Sequence, residues 1–215
     1  MMHLISPHYT SKKLEPPFFR DLVDVFEDRT RYWMLNPAKE LLKERNSQIA
    51  AVGILLNYIE GIEIYLTGED SINKSFDFFC SGFSKVFSVS VGDRSVIEHC
   101  AKALYVQARC GFAHDGLFRN RVFFKDTTKN AFIITWPRKD GQLIFNRGVE
   151  SIVINPIRFY EVVEIHFENY VRRLKENKDK QLIDSFKSAV DLKWGFEIEY
   201  INIGMAEEEF KNNKY

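Results

Sequence analysis

Arg109-Cys110-Gly111-Phe112-Ala113-His114 places an arginine and a histidine with four residues between them near the expected C-terminal end of an apolar-periodic helix. A guanidinium can neutralise a phosphate, and an imidazole can move a proton near neutral pH. Scission of RNA by its own 2′-hydroxyl needs that hydroxyl deprotonated, the 5′-oxygen protonated as it leaves, and the extra charge on phosphorus stabilised. In such chemistry His114 would transfer the proton and Arg109 would clamp the phosphate. The helix dipole favours a cationic histidine near a C-terminus, which suits it to that task. Tyr105, one turn before Arg109, could stack a base or finish the core. Arg119, Arg121 and Lys125 follow closely and could line an RNA path, or be the solvated charges of an alternating strand. A purely structural alternative pairs Arg109 with an acid such as Asp115 and lets His114 cap the last carbonyls of its helix.

Helix geometry constrains this chemistry. At about 100° per residue, the five steps from Arg109 to His114 set the two side chains about 140° apart and about 7.5 Å apart along the axis. A regular helix therefore does not bring both onto one phosphate. Either the turn unwinds at Gly111 or a second copy of the chain completes the site.

The surrounding apolar periods indicate which elements carry the pair. Residues 17–36 read as a helix with Phe19, Leu22, Val23, Phe26 and Trp33, and Pro37 opens the next helical stretch. Ser47 to about Thr67 is apolar almost all round, which places it at the centre of a bundle. Its narrow polar stripe of Gly53, Asn57 and Glu60, with Gly61 beside it, reads as close packing plus a satisfied polar pair. The phenylalanine-rich stretch Ser71–Ser90 is a further helix. Ser95 with Glu98 forms a capping box for the motif helix, with Asp93 as an alternative cap, and Gly116 lies just past its end. Arg121–Phe124, Ala131–Trp136, Gln142–Phe145 and Ser151–Ile154 are short β-prone runs expected to form an antiparallel meander. Asn155-Pro156 then caps a long helix to about Asn177, and another runs from about Asp179 to Leu192. The expected fold is mainly α, a helical bundle with a small antiparallel β-meander inserted before the long C-terminal helix.

Length and composition are consistent with this organisation. The 215 residues, 45% of them hydrophobic, can bury one sizeable core. Thirty basic residues balance thirty acidic ones, so any RNA contact must be local rather than a general basic field. Cys80, Cys100 and Cys110 are odd in number and lack CxxC spacing, which points to reduced thiols in a cytoplasmic protein. No signal-peptide pattern opens the chain. The most apolar run, Ile49–Leu66, is broken by Asn57, Glu60 and Glu63, as expected of a buried helix and not of a membrane span. No HExxH, paired Cys/His spacing or Gly-rich phosphate loop suggests a metal or a nucleotide cofactor. His99 and His166 read as ordinary helical side chains.

Written as Tyr105-x3-Arg109-Cys110-Gly111-x2-His114 near the end of a late bundle helix, the motif resembles that of the HEPN superfamily, whose signature is Arg-x4-6-His. The resemblance covers residues 17–118 and 156–193 of a single domain spanning 1–215, leaving 119–155 as a β insert and 194–215 as a polar tail. It implies a metal-independent endoribonuclease with Arg109 and His114 as catalytic residues and no cofactor. It also implies a homodimer whose facing motifs form one composite cleft. RNA or a nucleotide would be the ligand, with Tyr105, Arg119 and Arg121 as substrate-binding residues. Toxin–antitoxin and phage-defence systems contain many such proteins, which brings an antitoxin protein into view as a partner. Family members often carry a polar residue, frequently asparagine, directly after the arginine; Cys110 stands there instead and reads as a small buried filler. A non-catalytic HEPN-like module that binds a nucleotide, RNA or a protein through the same cleft is the alternative. Converging Arg109 and His114 side chains favour the nuclease, and a buried, salt-bridged Arg109 favours the binding module.

Overall fold

In the computed structural model, residues 4–87 and 94–194 are described. A small hairpin of β1 (Leu4–Ser6) and β2 (Tyr9–Thr10), which no sequence signal announces, precedes the helices. Helix α1 (Phe19–Thr30) passes through a π turn at Arg31–Leu35 into α2 (Asn36–Leu41). Pro37 does lie in the first turn of α2, but Leu35 and Asn36 keep right-handed helical backbone, so the chain never leaves the helix. An α-helix would set the proline ring against the carbonyl four residues earlier. The widened turn, with Asn36 N–H donating to the Arg31 carbonyl, relieves that clash.

Helix α3 (Gln48–Thr67) occupies the centre, as its apolar circumference requires. It packs on α2, α4 (Ser75–Val86), α6 (Pro156–Glu176) and α7 (Lys180–Trp194). Val52, Leu55, Leu56, Ile59 and Ile62 are buried, and Gly68 at φ +75° ends the helix by donating its N–H to the Ile64 carbonyl. The stretch Arg45–Thr67 is long and apolar enough to cross a membrane, and 61% of its most apolar window is buried inside the fold. One buried acid on α3 pins α4: Glu63 accepts from Lys85 Nζ at 2.6 and 2.7 Å and from the Ser81 hydroxyl at 2.7 Å. An aromatic cluster of Phe26, Tyr65, Phe167 and Phe186 closes the core between α1, α3, α6 and α7.

Helix α6 begins as its sequence requires: the Asn155 side chain accepts from the N–H groups of Ile157 and Arg158, ahead of Pro156. Within it, burial pushes the His166 imidazole down to about 4, with the Arg173 and Lys85 charges adding to the effect, and its Nδ1 lies 2.8 Å from the Tyr58 hydroxyl. The unfolded chain takes up this proton near 6.5 and the folded chain only near 4. Between those values unfolding binds a proton, so lowering the pH favours unfolding. After discounting for partial contact with water, the cost at pH 4 is about 2 kcal/mol. Urea titrations of wild type should show a midpoint falling from pH 6.5 to pH 4, and His166→Gln should flatten the fall.

The strands differ from the expected meander. β3 (Val122–Phe124), β7 (Ser151–Ile154) and β4 (Phe132–Thr135) form one sheet with β7 in the middle, parallel to β3 and antiparallel to β4. β5 (Arg138–Lys139) and β6 (Gln142–Leu143) form a separate hairpin turning at Asp140-Gly141. Ile152 and Ile154 are fully buried against the bundle, so β7 takes the protected central position, and β3 meets it in parallel.

Candidate functional site

The motif lies on the continuation of α5 (Arg94–Leu104), which stays helical to Asp115 but changes its winding. That helix has begun by Arg94, which puts Ser95 and Glu98 in its first turns; Asp93, the alternative cap, is outside the described residues. Tyr105–Arg109 and Gly111–Asp115 are π turns flanking Cys110, whose N–H donates to the Tyr105 carbonyl five residues back. In a π turn the residues joined by a hydrogen bond are five apart and lie closer around the axis than they would in an α-helix. Arg109 and His114 are five apart, so this winding narrows the angle of about 140° that an α-helix would put between them. Gly116, at φ +72°, ends the segment as expected.

Two close approaches hold the widened segment in place. Phe112 seats its ring over Gly53 of α3, where an added Cβ would fall 2.4 Å from the ring. Gly111 lets the following loop cross, since its Cβ would lie 2.9 Å from the Leu117 carbonyl oxygen, and Arg119 N–H donates to the Gln107 carbonyl at 3.0 Å.

Arg109 does not pair with Asp115. Its Nη2 donates at 2.8 Å to Oε2 of Glu60 on α3, and the two side chains are 20% and 11% exposed. The polar stripe of α3 is thereby explained, with Asn57 Nδ2 donating to the Gly53 carbonyl one turn earlier. A guanidinium carries five N–H donors, and this bond uses one. Nε is buried with no hydrogen-bond partner, so the ion pair orients the group without saturating it. Tyr105 lies under the guanidinium, ring centroid 5.7 Å from Cζ, and packs on Phe76 and Phe79. Burial, with Cys110 beside it, pushes the Tyr105 hydroxyl up. Tyr105 is thus part of the arginine's support.

His114 is exposed at the helix end, as are Arg119 and Arg121 beyond it. Cys110 is half-buried, in keeping with a filler. Burial raises the thiols of Cys80 and Cys100 to about 11, which leaves them protonated and unreactive at neutral pH. Glu60, which the sequence marks as one half of a satisfied polar pair, finds its partner in Arg109 on another helix, a partner the sequence did not name. An acid on the narrow polar face of an otherwise apolar helix was its only signal.

Removing the Arg109 side chain leaves Glu60 charged in a largely dry position. Arg109→Ala should therefore cost roughly 2–3 kcal/mol of stability, read as a lowered urea midpoint, and Arg109→Ala/Glu60→Gln should recover most of it. Arg109→Lys keeps the charge and is the variant in which function can be read separately from folding.

No protein-family model matches the chain, and no curated protein or solved structure is significantly similar to it. The HEPN resemblance therefore rests on the motif and its helical setting.

Proposed function

We propose that this chain is a HEPN-like module acting on RNA, and that its Arg109–His114 face, completed by the same face of a second copy, cleaves RNA without a metal ion. The observation that supports this most is the π winding of Tyr105–Arg109 and Gly111–Asp115, which narrows the angle that a regular α-helix would put between residues five apart. An exposed histidine then stands one turn beyond an arginine that is one-fifth exposed and oriented by Glu60. Arg109 binds the scissile phosphate. His114 moves a proton as the 2′-oxygen bonds to phosphorus and the bond to the 5′-oxygen breaks. The outer face of the three-stranded sheet gives RNA a path. Exposed Phe123 lies on β3 between the exposed Arg121 and Lys125 that flank the strand, and Phe123, Val153 and Ile133 lie in register across the sheet with Phe123 51% exposed. A strand held on that face meets bases with an aromatic ring and phosphates with Arg121 and Lys125.

The Arg109–Glu60 ion pair favours a second reading, in which the arginine is structural and the module binds RNA, a nucleotide or a protein without cutting. Incubation of a mixed single-stranded RNA panel with the purified protein in EDTA separates the two, with sedimentation run in parallel for the expected homodimer. Cleavage by the dimer supports the nuclease. Intact RNA after incubation with a folded protein supports the binding module.

A further inference from the structure

A second face of α5, separate from the motif, borders a cleft of about 910 Å³ that the helix shares with the β5–β6 hairpin and the turn after it. His99 and Lys102 enter it at a helical spacing that continues through Ala103, Val106 and Gln107. Arg109, directed at Glu60, is not among its walls. The wall chemistry is specific. The His99 ring lies flat on Phe145, with centroids 3.9 Å apart and planes 9° apart, and Trp136 meets Phe145 edge-on at 5.1 Å. Lys102 on the helix and Lys139 on the hairpin are both exposed and bring positive charge to opposite rims, against Asp140 as the one acidic residue of the lining. The amides of Gln107, Gln142 and Asn146 add donors and acceptors.

We propose that this cleft binds a nucleobase carrying a phosphate. An aromatic wall suits a flat ring, which can extend the His99–Phe145 stack while the amides read its edge. The lysines suit the phosphate. Other ligand classes fit less well. A divalent cation would need more than one carboxylate. A bare anion would leave both the aromatic wall and most of the volume unused, and a wholly apolar ligand would leave the lysines and the three amides without a partner in the cleft. The volume lies within the usual range for small-ligand clefts. Such a nucleotide can be free or part of an RNA strand, and the cleft recognises the same chemistry in both.

The test uses the full chain and the fluorescence of Trp136, with Trp136→Phe identifying its signal. Adenosine monophosphate, inorganic phosphate and an uncleavable 2′-O-methyl RNA hexamer are titrated separately. Saturable binding of the mononucleotide, the hexamer or both, at about 1 mM or tighter and stronger than phosphate, is the expected result. His99→Ala and Lys102→Ala/Lys139→Ala should each weaken it roughly tenfold, by loss of stacking and of charge. Binding of the hexamer alone assigns the cleft to RNA, and binding of both assigns it to the shared nucleotide chemistry. Phosphate bound as well as the nucleotide, no binding by folded wild type, or affinity unchanged in both variants would overturn the proposal. Mononucleotide binding is read at Trp136 and cleavage from the RNA products, so failure of the cleavage chemistry and failure of this cleft are distinguishable.

Discussion

His114→Ala should lower the rate of RNA cleavage by about 10²–10⁴-fold, the range expected for loss of a proton-transfer group, while leaving the thermal midpoint almost unchanged. The two halves of this result come from one observation. His114 is exposed at the end of its helix, so its removal opens no cavity and strands no buried group. Arg109 behaves differently because its guanidinium is tied to a buried acid, so a truncation there mixes catalysis with folding. Arg109→Lys should keep most of the fold and still lose activity, since an ammonium does not reproduce the fork that grips a phosphate through two N–H groups. Equal rates for wild type and His114→Ala would remove the histidine from the chemistry.

Gly82→Ala should produce the largest loss of stability of any single methyl added to the bundle. Helix α4 crosses α3 so closely that a Cβ on Gly82 would sit 2.0 Å from the Ile59 carbonyl oxygen. That oxygen belongs to the backbone of the central helix and cannot swing away. The crossing must open instead, which also loosens the Lys85–Glu63 pair one turn further along. We expect a cost of about 3 kcal/mol or more, corresponding to a midpoint lower by roughly 6–12 °C for a chain of this size. Gly61→Ala, on α3 itself, is the control. Nothing lies within 4 Å of its added Cβ, so the variant should gain about 0.5–1 kcal/mol from reduced chain entropy. Opposite signs at two helical glycines, measured by thermal melts, would establish that the α3–α4 approach sets the requirement. Similar midpoints for both would contradict it.

The fold was legible wherever the information is local. The apolar circumference of Ser47–Thr67 announced a central helix, Asn155-Pro156 announced the start of α6, and Gly116 announced the end of the motif helix, because each depends on residues within a turn or two. The arrangement of strands was not legible. β-Propensity marks strands but says nothing of their neighbours, and the parallel β3–β7 pairing depends on contacts thirty residues apart. The same limit applied to the site. Arg109 and His114 were visible as a spacing, but the acid that holds Arg109 is 49 positions away, on the face of α3 where sequence patterning predicted a generic polar pair. The π winding was only half visible. Regular geometry left two ways to complete the site, unwinding at Gly111 or a second copy of the chain, and did not announce the two widened turns on either side of Cys110, which reach back to Tyr105. Apolar periodicity over so few residues does not distinguish that winding from an ordinary turn.

The most direct test of the central claim is the chemistry of the ends left when a single-stranded RNA oligomer is incubated with wild type in EDTA and the fragments are weighed. Attack by the 2′-oxygen predicts a 2′,3′-cyclic phosphate on one fragment and a 5′-hydroxyl on the other, with no product from an oligomer carrying 2′-deoxyribose at the cleaved position. Intact RNA, or fragments ending in 3′-hydroxyl and 5′-phosphate, would contradict the account.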